Sequence, residues 1–378
     1  MAGWFEVDKN GLAAILERRG KFFAIAELLS NAWDAGASRV ECSLAPIDGV
    51  PYVALEVLDN GEGFANLLDA TTLFARSRRA KEPDKRGRFN LGEKLVLACC
   101  RSAEITSAGK CVKFTSAGVR TSVAVGHPPG TRFRGELRMT REEFADAVAD
   151  MAGVIPPVPT LFNGSMLEAP KPLTTFDAKL PTEIGDAETG SLRRTIRTAR
   201  VEVYEAGGAG SILEMGIPVV ENDNGYHVNV LQKIPLNMER DNVTPAFLRA
   251  LNVAVMNATH QHWTAEAAAA PWAQEAAGDA RATPEAVRSV IEKRFGEHAV
   301  VATPNDPIAN AQAAAAGFTV ISGGALPSGV WANVRKHDLL VSAGRAFPSP
   351  TAEQRQNLND ALNVSGVCPL CGKASNAG

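Results

Sequence analysis

The stretch Glu27-Leu28-Leu29-Ser30-Asn31-Ala32-Trp33-Asp34-Ala35 and the loop Asp59-Asn60-Gly61-Glu62-Gly63 decide how the N-terminal part of this chain is read. Phe22, Ile25, Leu28, Leu29 and Ala32 recur at helical spacing, so a helix is predicted over 21–35, with Gly36 as its C-terminal cap. Glu27, Asn31 and Asp34 stand four and then three residues apart, which puts all three on one helix face. A polar stripe on an otherwise apolar helix calls for a ligand or a buried network. The same stripe also occurs on a plain amphipathic surface helix.

Working outward, 39–46 and 52–58 read as strands joined by a turn at Asp48-Gly49. The loop 59–63 follows the second strand. Its glycines let the backbone approach a ligand, and Asp59 can accept a hydrogen bond from an amino group. A tight Asn-Gly hairpin is the simpler reading of the same residues. A short helix is predicted over 65–74, then a basic segment 76–88, then Gly87-Arg88-Phe89-Asn90-Leu91-Gly92 leading into a helix over 93–100. A glycine-flanked loop that opens a helix offers backbone N–H groups to phosphate. Strands are expected at 103–106, 111–115, 121–125 and 132–137, with Gly130-Thr131 opening the last, and a helix over 140–152 closes the segment. Helices followed by a run of strands make an α+β pattern.

Taken in this order, the four pieces resemble the GHKL superfamily of ATP-binding proteins with a Bergerat-type pocket: gyrase B, the ninety-kilodalton heat-shock chaperones, histidine kinases and MutL. Residues 27–35 resemble its N-box and 59–63 its Asp-x-Gly-x-Gly loop. Residues 87–92 resemble its glycine-rich lid motif and Gly130-Thr131 its final Gly-Thr. The resemblance implies that Glu27 is the general base acting on water and that Asn31 holds Mg²⁺ through its side-chain oxygen. Asp34 would lie near the adenine or ribose, and Asp59 would accept the adenine amine. Gly61 and Gly63 would let the base lie against the backbone, and Thr131 would help to fix Asp59 and a pocket water. Gly87, Asn90, Leu91, Gly92 and Lys94 fall where the family holds phosphates. Asn90 replaces the lid's central glycine; asparagine tolerates the left-handed conformation better than most residues. The chain has no Gly-x-x-x-x-Gly-Lys-Ser/Thr motif, so a P-loop reading has no support.

Beyond 152, residues 153–175 carry five prolines and read as a linker or extended arm. A second domain is expected over 176–265, with strands at 200–205, 212–214, 219–221 and 227–232 and a helix that Thr244 caps and Pro245 opens. Gln232-Lys233 resembles, without the threonine, the Gln-Thr-Lys switch loop that transducer domains of gyrase B and topoisomerase VI insert toward the γ-phosphate. The plain reading of Lys233 is a surface lysine. Arg240 is a second candidate for that role. Residues 264–282 read as helical or as a flexible connector, and 284–295 as a helix. Residues 298–302, 308–316 and 318–322 read as a strand–helix–strand unit. The fold class is thus α+β: a Bergerat-fold α/β sandwich over 1–152, an S5-like α/β transducer domain over 176–265, a small α/β segment over 283–347 and a polar tail over 348–378. Cys368 and Cys371 in that tail resemble half of a zinc-ribbon site. Zinc needs four ligands, so the other pair would come from a partner chain or from His260 and His262.

Of the 378 residues 45% are hydrophobic and 21% charged, a globular mix able to bury its own core. A net charge of −3 gives no global pull toward nucleic acid or acidic membranes. Seven basic residues between Arg76 and Arg88 could hold phosphates or DNA backbone, or belong to a solvated lid. No signal peptide or membrane span is evident, and Cys42, Cys99, Cys100 and Cys111 read as buried thiols, so a reducing, cytoplasmic setting is expected. The leading expectation is a slow Mg²⁺-dependent ATPase that acts as a conformational switch and homodimerises on ATP, with a protein or DNA partner and no membrane. The alternatives are a non-hydrolysing ATP sensor and a histidine-kinase-type phosphotransferase. The kinase needs a phosphoacceptor histidine ahead of the pocket, and none is present there.

Overall fold

The computed structural model describes residues 8–73, 82, 84–87, 92–115, 118–123, 126, 129–185, 192–236 and 242–351, with scattered positions to 360. The chain divides into two compact units, 1–251 and 252–378.

The first unit begins with α1 (Lys9–Glu17) and α2 (Phe22–Asp34), followed by β1 (Val40–Pro46) and β2 (Tyr52–Asp59). After α3 (Gly92–Cys99) come β3 (Cys100–Ser107), β4 (Lys110–Thr115), β5 (Gly118–Val123), β6 (Thr131–Arg138) and α4 (Arg141–Asp150). Then follow β7 (Thr160–Phe162) and β8 (Ser165–Met166). These eight strands form one sheet in the order β5-β4-β3-β6-β2-β1-β7-β8. The helix predicted over 65–74 is a 3-10 turn at Leu67–Thr71. Thr140 caps α4 in a full capping box: its hydroxyl accepts from the Glu143 N–H, and Glu143 accepts from the Thr140 N–H.

Period-two alternation explains the core. On β2, Val53, Leu55 and Val57 are buried, and on β1 so are Val40, Cys42 and Leu44. Phe22, Ile25, Leu28 and Leu29 of α2 pack in the same cluster with Val96, Ile105, Phe133 and Leu137. Each such side chain contributes about 1.5–3 kcal/mol through burial. The thiols of Cys42, Cys99, Cys100 and Cys111 are free and buried.

The proline-rich stretch after 152 is more than a linker. β7 pairs in parallel with β1, Val40 opposite Thr160, and the Trp33 indole donates to Thr160 Oγ1 at 3.2 Å. Three residues of non-local pairing leave no periodic signal in the sequence.

A second sheet, ordered β12-β11-β13-β10-β9, consists of β9 (Thr174–Gly185), β10 (Leu192–Glu205), β11 (Gly210–Glu214), β12 (Ile217–Asn222) and β13 (Tyr226–Val230). β9 has no counterpart in the sequence reading, and Pro181 lies within it. It is an edge strand, where proline is tolerated. α5 (Pro245–Thr259) follows.

In the second unit α6 (Ala265–Ala269) and α7 (Pro271–Ala277) fill the alanine-rich stretch, and α8 (Pro284–Phe295) begins behind a Thr283 cap. β14 (Ala299–Val301), α9 (Pro307–Ala315) and β15 (Thr319–Ile321) form the predicted strand–helix–strand unit, with its two strands parallel. α10 (Ser328–Lys336) and α11 (Ala343–Ala346) complete it. No helix among the described residues is long and apolar enough to cross a membrane.

Candidate functional site

The inward series on β2 ends in a carboxylate: after Val53, Leu55 and Val57 comes Asp59, buried on the same face. β3 does the same, ending Ala103, Ile105, Ser107, and Ser107 is fully buried. Ser107 pairs with Thr131 across β3 and β6. One further step of the β2–β6 register sets Thr131 opposite Asp59. A row of three polar side chains thus crosses the end of the sheet. Asp59 Oδ1 accepts from the Gly61 N–H at 2.8 Å and the Thr131 N–H at 3.3 Å. Ser107 Oγ accepts from the Phe64 N–H at 3.0 Å, donates to the Gly130 carbonyl at 3.1 Å and lies 3.3 Å from Thr131 Oγ1.

Glycine is required here by close approach. A Cβ on Gly61 would lie 2.7 Å from the Ala35 carbonyl at the end of α2. One on Gly63, at φ +73°, would overlap Ser107 Oγ, and one on Gly130, at φ +105°, would overlap the Asp59 carbonyl. Asn60 fastens the loop to the start of β1, accepting from the Ser38 and Arg39 N–H groups at 2.9 and 3.1 Å. The hairpin reading of 59–63 fails because these residues join α2, β1, β3 and β6 instead of turning directly into a neighbouring strand.

On α2, Glu27 and Asn31 are half-buried and Asp34 is buried. Glu27 touches the start of α3: a Cβ on Gly92 would overlap its carboxylate. The Arg19 guanidinium lies 3.7 Å from Glu27 and 4.0 Å above the Phe23 ring. A cavity of about 30 Å³, walled by Arg19, Glu27, Ser30, Arg86 and Glu214, opens beside them. Asp34 receives the Gly87 N–H at 3.0 Å on one oxygen and Arg86 at 3.5 Å on the other. Arg86 is buried, so this member of the basic run is not part of a solvated segment. Burial pushes its guanidinium below the ordinary arginine value, and Asp34, Glu214 and Glu27 push back. Lys94, expected near phosphate, is buried and paired with Glu93.

Lys233 is no surface residue: its side chain is fully buried and its Nζ donates to the Glu82 carbonyl at 2.8 Å. Gln232 Nε2 donates to the Leu180 carbonyl at 3.4 Å. Asn90, Leu91, Arg240, Cys368 and Cys371 lie outside the described residues. Among the described residues no group of three or more His, Cys, Asp or Glu side chains could hold a metal, so His260 and His262 gain no zinc partner there. Ser107, Arg19 and Glu214 are the site residues that no motif singled out. Ser107 could have been found as a serine that ends an inward strand series.

Residues 20–123 match the family model of histidine kinase-, DNA gyrase B- and HSP90-like ATPases. That stretch, about a quarter of the chain, thus matches a GHKL-type ATP-binding domain, and it holds Glu27, Asn31, Asp34, Asp59, Gly61, Gly63, Gly92 and Ser107. No curated protein matches the chain. Among solved structures it is similar to the N-terminal domain of a DNA repair protein, with 13% identity over 62% of this chain and 91% of that one and a TM-score of 0.34.

Proposed function

We propose that the first sheet and its helices bind ATP with Mg²⁺ and hydrolyse it slowly, and that the second sheet, as an S5-like transducer, turns nucleotide state into a change of shape and homodimerisation. The observation that carries this reading is convergence. The 27–35, 59–63 and 130–131 motifs and Gly87 and Gly92, far apart in sequence, touch one another at one end of one sheet.

In this reading Asp59 accepts the adenine amine. Asn31 would supply one side-chain oxygen to Mg²⁺, which would offset the charge of the phosphates. Gly92, which opens α3, and the neighbouring Asn90 and Leu91 would offer N–H groups to the phosphates, and Gly87 would do so by releasing the N–H that Asp34 now accepts. Glu27 takes the proton of the attacking water as the bond to the leaving ADP oxygen breaks. Lys233 reads the γ-phosphate. The buried free thiols support a reducing, cytoplasmic setting.

Arg19 favours a second reading, sensing without hydrolysis, because its guanidinium already lies against the Glu27 carboxylate that hydrolysis needs for water. Calorimetry of the full chain with a non-hydrolysable ATP analogue and with ADP, alongside phosphate release and light scattering, tests both. Binding with slow release and analogue-dependent dimers supports the switch. Binding without release selects the sensor. No nucleotide binding overturns both.

A further inference from the structure

Residues 84–87 form a strap between α2 and the second sheet, and Arg86 is gripped from both sides. Nη1 reaches Asp34 Oδ1 at 3.5 Å, Nε donates to the Glu214 main-chain carbonyl at 3.3 Å, and the guanidinium lies 4.9 Å from the centre of the Trp33 ring. Its side chain is only 9% exposed. A guanidinium this buried cannot give up a partner cheaply, because water does not replace it.

The second sheet holds the same stretch of chain again. Lys233 donates to the Glu82 carbonyl, and the next N–H, that of Ile234, donates to Glu214 Oε1 at 3.2 Å. Glu82, the strap, Arg86, Glu214, Ile234 and Lys233 therefore close a ring of contacts. Both oxygens of Asp34 face the strap, one toward Arg86 and one toward the Gly87 N–H. The resemblance expects Asp34 near the adenine or ribose; its contacts here run to the strap.

We propose that Arg86 is a positioning residue that couples the nucleotide site to the second sheet: a shift of the strap on phosphate capture at Gly87 and Gly92 is carried by its buried side chain to β11. This rests on the ATP reading above. Arg86 itself needs no contact with nucleotide. The ring makes the coupling reciprocal, since a displaced β11 must move the strap.

Hydrogen–deuterium exchange of the full chain tests this, with and without Mg²⁺ and a non-hydrolysable ATP analogue, read on peptides covering 208–217 and 231–236. Calorimetry measures affinity in parallel. In the wild type the analogue changes exchange in both regions. Arg86→Met binds the analogue within about threefold of wild type, as expected for a site without ligand contact, but loses the response at 208–217. Arg86→Lys keeps the buried charge and the fold, yet a single ammonium cannot span both acceptors, so it loses that response too. Where circular dichroism shows Arg86→Met unfolded, Arg86→Lys decides. A folded variant that binds and keeps the β11 response overturns the proposal, as does a wild type that binds without responding there. A wild type that binds no nucleotide overturns the ATP reading beneath it instead.

Discussion

At the Asp59 end of the site the chain is fixed by backbone N–H groups, a serine hydroxyl and glycines in contact with neighbouring main chain. At the Glu27 end it is fixed by buried charges: Arg19 on Glu27, Arg86 on Asp34, Lys94 on Glu93, Lys233 on a carbonyl. The first kind of order is steric and local. In the proposed reading, contacts of the second kind at Lys233 and Gly87 can be re-partnered by phosphate, whereas Arg86 keeps its partners. A site built this way would recognise the base on a rigid surface and respond to the phosphates on a movable one.

The largest effect expected at the charged end is on turnover. Glu27→Ala should lower phosphate release by about 10²–10⁴-fold, the usual worth of a general base, while analogue affinity measured by calorimetry stays near wild type. Equal loss of binding and turnover would make Glu27 structural. At the steric end, Gly130→Ala meets both a positive φ and the Asp59 carbonyl, so urea unfolding should show a loss of about 2–3 kcal/mol. A loss below about 0.5 kcal/mol would mean that this end is not rigid.

Smaller effects sharpen the contrast. Lys233→Met should weaken binding of the ATP analogue by about 1.5–3 kcal/mol and leave ADP affinity nearly unchanged, because only ATP carries the contacted group. An unchanged ratio of the two affinities would confine Lys233 to holding Glu82, and Arg240 becomes the next candidate. Ser107→Ala, the mildest change, removes one hydroxyl and should cost ATP and ADP alike about 1 kcal/mol. If it altered their ratio, the division into a base end and a phosphate end would fail.

What was readable in the sequence follows the range of each interaction. The bounds of α2, β1, β2 and α8 came from periodicity and caps, which are local. Asp59, Thr131 and Ser107 meet because three strands end in one row. Two of the three carried motifs, whereas a serine at a strand end carries none. The basic run 76–88 has one composition throughout, so nothing in it marked Arg86 as the buried member. Lys233 stood open between a switch-loop lysine and a surface lysine, and its burial was not legible because the carbonyl it meets lies 151 residues away. β9 carries a proline and was not read as a strand, and β7 was hidden by its brevity and its distant partner.

The pairing of β1 with β7 sets the order in which the nascent chain can finish its first sheet. Val40 is made early, but its neighbour Thr160 leaves the ribosome only much later, and until then β1 is a bare edge with unsatisfied N–H and C=O groups. The Trp33 indole, which lies beneath Arg86, waits for the Thr160 hydroxyl as well. A polypeptide ended at residue 152, where the first domain was expected to end, would keep that edge open permanently. It is expected to associate through β1, whereas one carried past residue 166 closes the edge with its own strands.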